Sequence, residues 1–228
     1  SYEAAMSIST EIGDMPGLAA SLESKGMALQ GLSKYEEAID LFEQARNIRI
    51  GEFGDMSSEV ADTYLDEGIS LEGLKRYEEA LDAYTEALLR YNKALGPDAA
   101  QIGWVTNNIG WVHRRLDNLE VSKRWFLKAE PIIVRHEGRY SRNAGKVAIN
   151  IGIIEHYLGN QDSAIRWVMK SLPYIQANKV ITLEEQRWAF DALARAFRAK
   201  GETKRAITFA KLAVNAQQSI RSANKSLS

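Results

Sequence analysis

Apolar side chains recur along this chain with the spacing of amphipathic helices. Long stretches combine apolar positions with Ala, Leu, Glu, Lys, Gln and Arg, the residues that lose least free energy on entering a helix. The alternation of β-branched and polar residues that is typical of strands is rare, and there are only 4 prolines. The pattern therefore predicts a chain that is almost entirely α-helical.

One arrangement of small and large residues returns every 42 residues. A small residue marks the first helix of each copy: Gly26, Gly68, Gly110, Gly152 and Ala194. Twelve residues later the chain has Ala38, Ala80, Ser122, Ala164 and Ala206. Sixteen residues after the marker it has Phe42, Tyr84, Phe126, Val168 and Ala210, and nineteen after it has Ala45, Ala87, Ala129, Ser171 and Ala213.

Small residues let two helices approach closely, and the larger residue fills the gap beside them. Each copy is therefore predicted to be a helical hairpin that buries its apolar face by stacking on its neighbours. The fifth copy departs from the pattern, since Ala194 and Ala210 replace the glycine and the larger residue.

This spacing resembles the tetratricopeptide repeat over residues 19 to about 221. The period exceeds the usual one of about 34 residues and is similar to that of kinesin light chains, as is the tract 94–98 ahead of 107–110. The resemblance implies an all-α fold, a right-handed α-α superhelix of stacked helical hairpins that forms a TPR-like solenoid.

The copies divide the chain into a single predicted array. Its expected limits are 1–13 for the second helix of a truncated preceding repeat, 19–57, 58–99, 100–141, 142–183 and 184–221 for repeats 1 to 5, and 222–228 for a tail. Neither end shows the polar face of a capping repeat, which indicates a fragment of a longer protein and leaves self-association through the ends as a further alternative. Residues 209–221 also resemble the last repeat helix before bacterial CHAT protease domains, which would place a catalytic domain beyond residue 228.

The composition and the absence of known motifs argue against catalysis and against the binding of a metal or cofactor. The chain has no cysteine, so disulfides and thiolate sites are excluded, and its 29 basic and 30 acidic residues give a formal charge of -1, which disfavours nucleic-acid binding. No phosphate loop, G-x-S-x-G or H-E-x-x-H motif is present, and the three histidines lack further metal ligands. No apolar run is long enough to span a membrane and no signal peptide is seen. We therefore expect a cytoplasmic protein that is not an enzyme and holds no cofactor or metal.

The first helices of such an array line a concave face, which is the usual ligand surface of a solenoid. Six positions per copy, those 6, 3 and 2 residues before the marker and 1, 4 and 5 after it, share one side of the helix and are called the stripe positions here. Their residues differ between copies, as ligand contacts do. They are acidic in the first two copies (Glu23, Asp62, Asp66, Glu72) and basic in the last three (Arg114, Arg115, Lys146, Arg195, Arg198).

We predict a partner-binding site on repeats three to five. Its residues are Asn107, Asn108, Trp111, Arg114, Arg115, Lys146, Asn150, Ile153, His156, Tyr157, Trp188, Arg195 and Arg198. Arginine and tryptophan are frequent anchors of interfaces. In proteins with the repeats that this chain resembles, asparagines at the positions of Asn108 and Asn150 often pair with the main chain of a bound peptide.

The predicted function is a protein-interaction scaffold that binds a peptide or protein segment, acidic or carrying a carboxylate, in its concave groove. A regulatory arm of a larger CHAT-type protein is the alternative, and nucleic-acid binding is a third. The tryptophans could instead be packing residues, and the arginines could form a solvated face.

Overall fold

The computed structural model describes residues 2–177 and 183–225, and the regular structure of these residues is entirely helical. The helices are α1 (Tyr2–Ile12), α2 (Met15–Gly31), α3 (Tyr35–Phe53), α4 (Ser58–Gly73), α5 (Tyr77–Leu95), α6 (Ala100–Arg115), α7 (Leu119–Glu137), α8 (Arg142–Tyr157), α9 (Gln161–Ala177), α10 (Leu183–Ala199) and α11 (Thr203–Lys225). The prediction of an all-α chain is confirmed. The limits of the individual repeats stay predictions.

The chain forms two compact units. Ser1–Leu116 contains α1 to α6, and Asp117–Ser228 contains α7 to α11. Within each unit every helix packs against the next one along the chain, and α2 also contacts α4 in the first unit, as α8 contacts α10 in the second. Packing between neighbours in the sequence is what an array of hairpins requires.

Backbone conformation repeats with the same period as the sequence. A residue with positive φ follows each marker helix: Ser33 (60°), Lys75 (63°), Asp117 (60°), Gly159 (82°) and Gly201 (75°). These positions lie 42 residues apart. Glycine adopts this left-handed conformation without the steric cost that a Cβ brings, whereas Ser33, Lys75 and Asp117 bear that cost in tight turns.

The marker glycines lie against the larger residue of their own hairpin. A Cβ added to Gly26 would lie 2.6 Å from the Phe42 ring, and one added to Gly68 would lie 2.5 Å from the Tyr84 ring. In the second unit a Cβ on Gly152 would lie 2.3 Å from Val168. Phe42, Tyr84 and Val168 are fully buried. The predicted close approach of the two helices is therefore confirmed in these three hairpins.

Candidate functional site

Helix α6 carries a tryptophan covered by an arginine. The Arg115 guanidinium lies 4.1 Å from the centre of the Trp111 ring, and that of Arg114 lies 6.0 Å away. Trp111 is partly buried, while Arg115 is exposed at the end of the helix. Stacking holds the guanidinium plane in place and leaves its N–H groups available to a carboxylate.

Asn108 lies one turn before Trp111, beside a buried tyrosine and a partly buried carboxyl group. The Tyr84 hydroxyl donates to Glu72 Oε2 over 3.3 Å, and the Asn108 side chain is hydrogen-bonded to Tyr84. Burial raises the pKa of Glu72 to about 7, although the Tyr84 hydrogen bond and the charge of Arg115 act to lower it. These stripe positions of α4 and α6 therefore form one cluster within the first unit.

Asn107 adds an unsatisfied acceptor to this part of α6. Its amide nitrogen donates to Asn108 Oδ1 over 3.3 Å, while its Oδ1 is buried without a hydrogen-bond partner among the described residues. The buried His113 Nδ1 likewise lacks a partner there, and burial lowers the pKa of this histidine. Uncompensated buried polar atoms cost stability and are uncommon in folded proteins.

Two acidic side chains at stripe positions of α2 and α4 are paired within the first unit. Glu23 accepts from Arg49 Nη2 over 2.7 Å, and Asp62 accepts from the Tyr91 hydroxyl. Asp66 lies near both carboxyl groups, and burial together with the charges of Glu23 and Asp62 raises its pKa to about 7. The sequence showed an acidic surface here, but the tyrosine and arginine partners come from the second helices and carry no signal of their own.

The predicted site residue Lys146 of α8 is paired within the protein. Its Nζ lies 3.3 Å from Glu185 Oε1, which also accepts from Arg142 Nε over 2.9 Å. The Tyr174 hydroxyl donates to the other oxygen of Glu185 over 3.1 Å. Glu185 is only 1% exposed. Lys146 therefore neutralises a buried carboxylate and is less available to a ligand than the sequence indicated.

The other predicted residues of α8 lie in different surroundings. Asn150 is partly exposed, whereas Ile153 packs against the core of the second unit. His156 Nδ1 is hydrogen-bonded to Gln161 Oε1 over 2.7 Å. The His156 ring lies 5.6 Å from that of Tyr157, which is 59% exposed. Asn150 and Tyr157 are thus the more accessible members of this group.

Helix α10 carries the last three predicted residues. Trp188 is 41% exposed, with the Arg187 guanidinium 6.0 Å from its ring centre. Arg195 Nε lies 2.8 Å from Asp191 Oδ2, one turn earlier. Arg198 is exposed in the last turn. Two arginines and one tryptophan of this helix thus reach the surface.

The described part of the chain has no group of three or more histidine and acidic residues arranged to hold a metal ion. None of the helices in residues 2–177 and 183–225 has both the length and the apolar character to cross a membrane.

Short hairpins, packing between neighbouring helices and variable stripe positions define an all-α repeat protein of the solenoid class. Residues 18–55 and 59–133 match models of the tetratricopeptide repeat, so these parts of the chain are tetratricopeptide repeats. The recognition made from the 42-residue spacing is confirmed. No curated protein sequence matches the chain.

Solved structures agree on the fold. BtubC (BKLC) from P. vanneervenii is similar with a TM-score of 0.83 at 16% identity, over 97% of this chain and 88% of that one. A putative kinesin light chain from Podosopora anserina with nearly identical TPR-like repeats gives 0.71 at 13% identity, over 90% and 97%. YrrB, a TPR protein with an unusual peptide-binding site, gives 0.63 at 14% identity, over 94% and 93%. At these identities the likeness concerns the fold, which is a TPR-like solenoid.

Proposed function

We propose that this protein is a non-catalytic interaction scaffold whose stripe positions bind an acidic peptide segment of a partner protein. The observation that carries the proposal is the pair of Trp111 and Arg115 on α6, with the guanidinium held 4.1 Å from the ring centre. A stacked guanidinium loses little conformational entropy when it binds a carboxylate, because its orientation is already fixed.

The neighbours of this pair supply the remaining elements of a peptide site. Asn108 offers an amide group beside Tyr84 at a stripe position of the same helix. An amide side chain can both donate to and accept from a peptide backbone. The second unit, taken by itself, also carries amide, aromatic and cationic groups at exposed or partly exposed stripe positions, namely Asn150, Tyr157, Trp188 and Arg198.

The fold of the neighbours is consistent with this proposal. YrrB is described as having a peptide-binding site, and it shares the fold of this chain. The acidic segment itself is inferred from the arginines of α6 and α10. Nucleic acid is disfavoured because the stripe positions of α2 and α4 are acidic and the formal net charge is -1.

The test is a selection of short random peptides displayed on bacteria, followed by titration of the best peptide against two variants. Arg115→Gln should weaken binding about tenfold or more, as expected for the loss of a hydrogen-bonded ion pair. The matched control is Lys93→Gln, which removes one exposed positive charge from α5, away from the stripe positions. Equal binding by the two variants, or selected peptides with no acidic residues, would overturn the proposal.

A further inference from the structure

In each of the first two hairpins, α2–α3 and α4–α5, an aromatic ring of the second helix fills the space beside the marker glycine of the first helix. Phe42 and Tyr84 lie against Gly26 and Gly68 so closely that a Cβ on either glycine would overlap the ring. Both aromatic residues are fully buried. In the α8–α9 hairpin the smaller Val168 takes this place against Gly152.

The hairpin of α10 and α11 has no such side chain. The two equivalent residues are Ala194 and Ala210, and both line an open cleft of about 390 Å³. An aromatic residue is present one position earlier, but Phe209 stacks on Phe197 at 5.6 Å and on Phe190 at 6.2 Å. Phe209 does not line the cleft. The ring that closes the first two hairpins is therefore missing from the last.

The wall and rim of this α10–α11 cleft differ in character. Alanine side chains and Ile207 supply apolar surface, while Asp191, Arg195 and Arg198 bring charge. Asp191 forms an ion pair with Arg195. Arg198 has no ion pair with any residue that the structure describes. The rim thus keeps one positive charge that is not neutralised by a neighbour.

We infer that the α10–α11 cleft binds an aromatic side chain of a partner peptide, with an adjacent carboxylate held by Arg198. The inference rests on the proposed function and names one specificity pocket for its peptide. The ring would take the place that Phe42 and Tyr84 occupy in their own hairpins. The volume lies within the range of about 300–1,000 Å³ that is usual for ligand pockets.

The test uses two fluorescein-labelled peptides in anisotropy titrations. One has a single phenylalanine flanked on both sides by aspartates, and the other has alanine in its place. The phenylalanine peptide should bind wild-type protein about tenfold tighter, as the burial of an aromatic side chain predicts. Arg198→Gln should weaken the binding of both peptides.

Ala210→Phe is the decisive variant because it restores the ring of the other hairpins. It should abolish the preference for the phenylalanine peptide while the melting temperature stays equal or rises. Val214→Phe is the matched control, since it adds the same ring to an exposed position of α11 outside the cleft and should keep the preference. Ile207→Glu, at a position that is 51% exposed, should also abolish the preference and guards against misfolding of Ala210→Phe.

The results separate this inference from the proposed function. Equal binding of the two peptides by wild-type protein, or a preference retained by both Ala210→Phe and Ile207→Glu, would overturn the α10–α11 pocket alone. The proposed function would still stand if Arg115→Gln weakened the selected peptide. If wild-type protein bound neither acidic peptide, the inference of an aromatic pocket would be overturned. The proposed function would then be decided by the titrations of the peptide selected from the displayed library.

Discussion

Two carboxyl groups at stripe positions of the first unit titrate near neutrality. Asp66 and Glu72 each have a pKa of about 7, chiefly because both are partly buried and lose contact with water. The nearby Glu23 and Asp62 raise the pKa of Asp66 further, and Arg49 offsets only part of this effect. The protonated form of both groups is therefore favoured well above the ordinary carboxyl pKa, and the charge of this surface depends on pH near neutrality.

Replacement of Asp66 by asparagine should make the protein more stable at high pH. The folded-state pKa of about 7 lies above the ordinary value of 3.8, so the stability contributed by the protonated form is complete below pH 3.8 and is lost as pH rises to about 7. Asp66→Asn cannot ionise and avoids this loss. Its free energy of unfolding relative to wild type should increase by about 2–4 kcal/mol between pH 5 and 8.

Urea titrations at several pH values between these limits measure that difference. Asp82→Asn removes an exposed carboxylate of α5 and serves as the control, for which the difference from wild type should stay small. If the difference in unfolding free energy between Asp66→Asn and wild type did not change with pH, the pKa of Asp66 would not be raised in the folded protein.

Glu185 shows why parts of the candidate site could not be predicted from the sequence. It lies in the first turn of α10, and carboxylates suit helix N-termini, so the sequence alone gives no sign of a further role for it. In the structure it is a buried acceptor for Tyr174, Arg142 and Lys146. The two cations come from α8, about 40 residues earlier in the chain. No local pattern indicates such a pairing, so Lys146 seemed free for a ligand.

The packing within the hairpins, by contrast, could be predicted, because it depends on residues at a fixed separation in the sequence. Gly68 and Tyr84 are sixteen residues apart, on two helices that a short turn joins. The two residues lie against each other across the hairpin. The same spacing joins Gly26 to Phe42 and Gly152 to Val168. The cleft between α10 and α11 was not foreseen, because the alanines at 194 and 210 indicated a departure from the pattern but not the cleft that results.

Gly68→Ala should destabilise the hairpin of α4 and α5. The added Cβ would lie 2.5 Å from the Tyr84 ring, which is fully buried and cannot move without disturbing its neighbours. Overpacking of this kind costs about 1–3 kcal/mol. Gly51→Ala is the control, since nothing lies within 4 Å of the added Cβ and alanine is the better helix former. Chemical denaturation should show the loss for Gly68→Ala and none for Gly51→Ala.

At the scale of the whole molecule, the near-zero net charge conceals an uneven distribution. The formal charge is -1, yet the acidic stripe positions lie on α2 and α4 and the basic ones on α6, α8 and α10. In the proposed function the stripe positions supply specificity through their differences, while the marker positions are small and support the packing of the hairpins. The separation is incomplete, because the stripe residues Lys146 and Ile153 also form an internal ion pair and a core contact.

Because each hairpin contacts mainly its neighbours, a local defect should remain local. In Gly68→Ala, amide hydrogen exchange in α4 and α5 should accelerate about five- to 150-fold, which corresponds to a loss of about 1–3 kcal/mol in local opening free energy. Exchange in α10 and α11 should remain at the wild-type rate. Mass spectrometry of peptic fragments measures both regions in one sample, with Gly51→Ala as the control. An equal acceleration in α11 would mean that the chain opens as one cooperative unit, and the stability of each hairpin would then depend on every other.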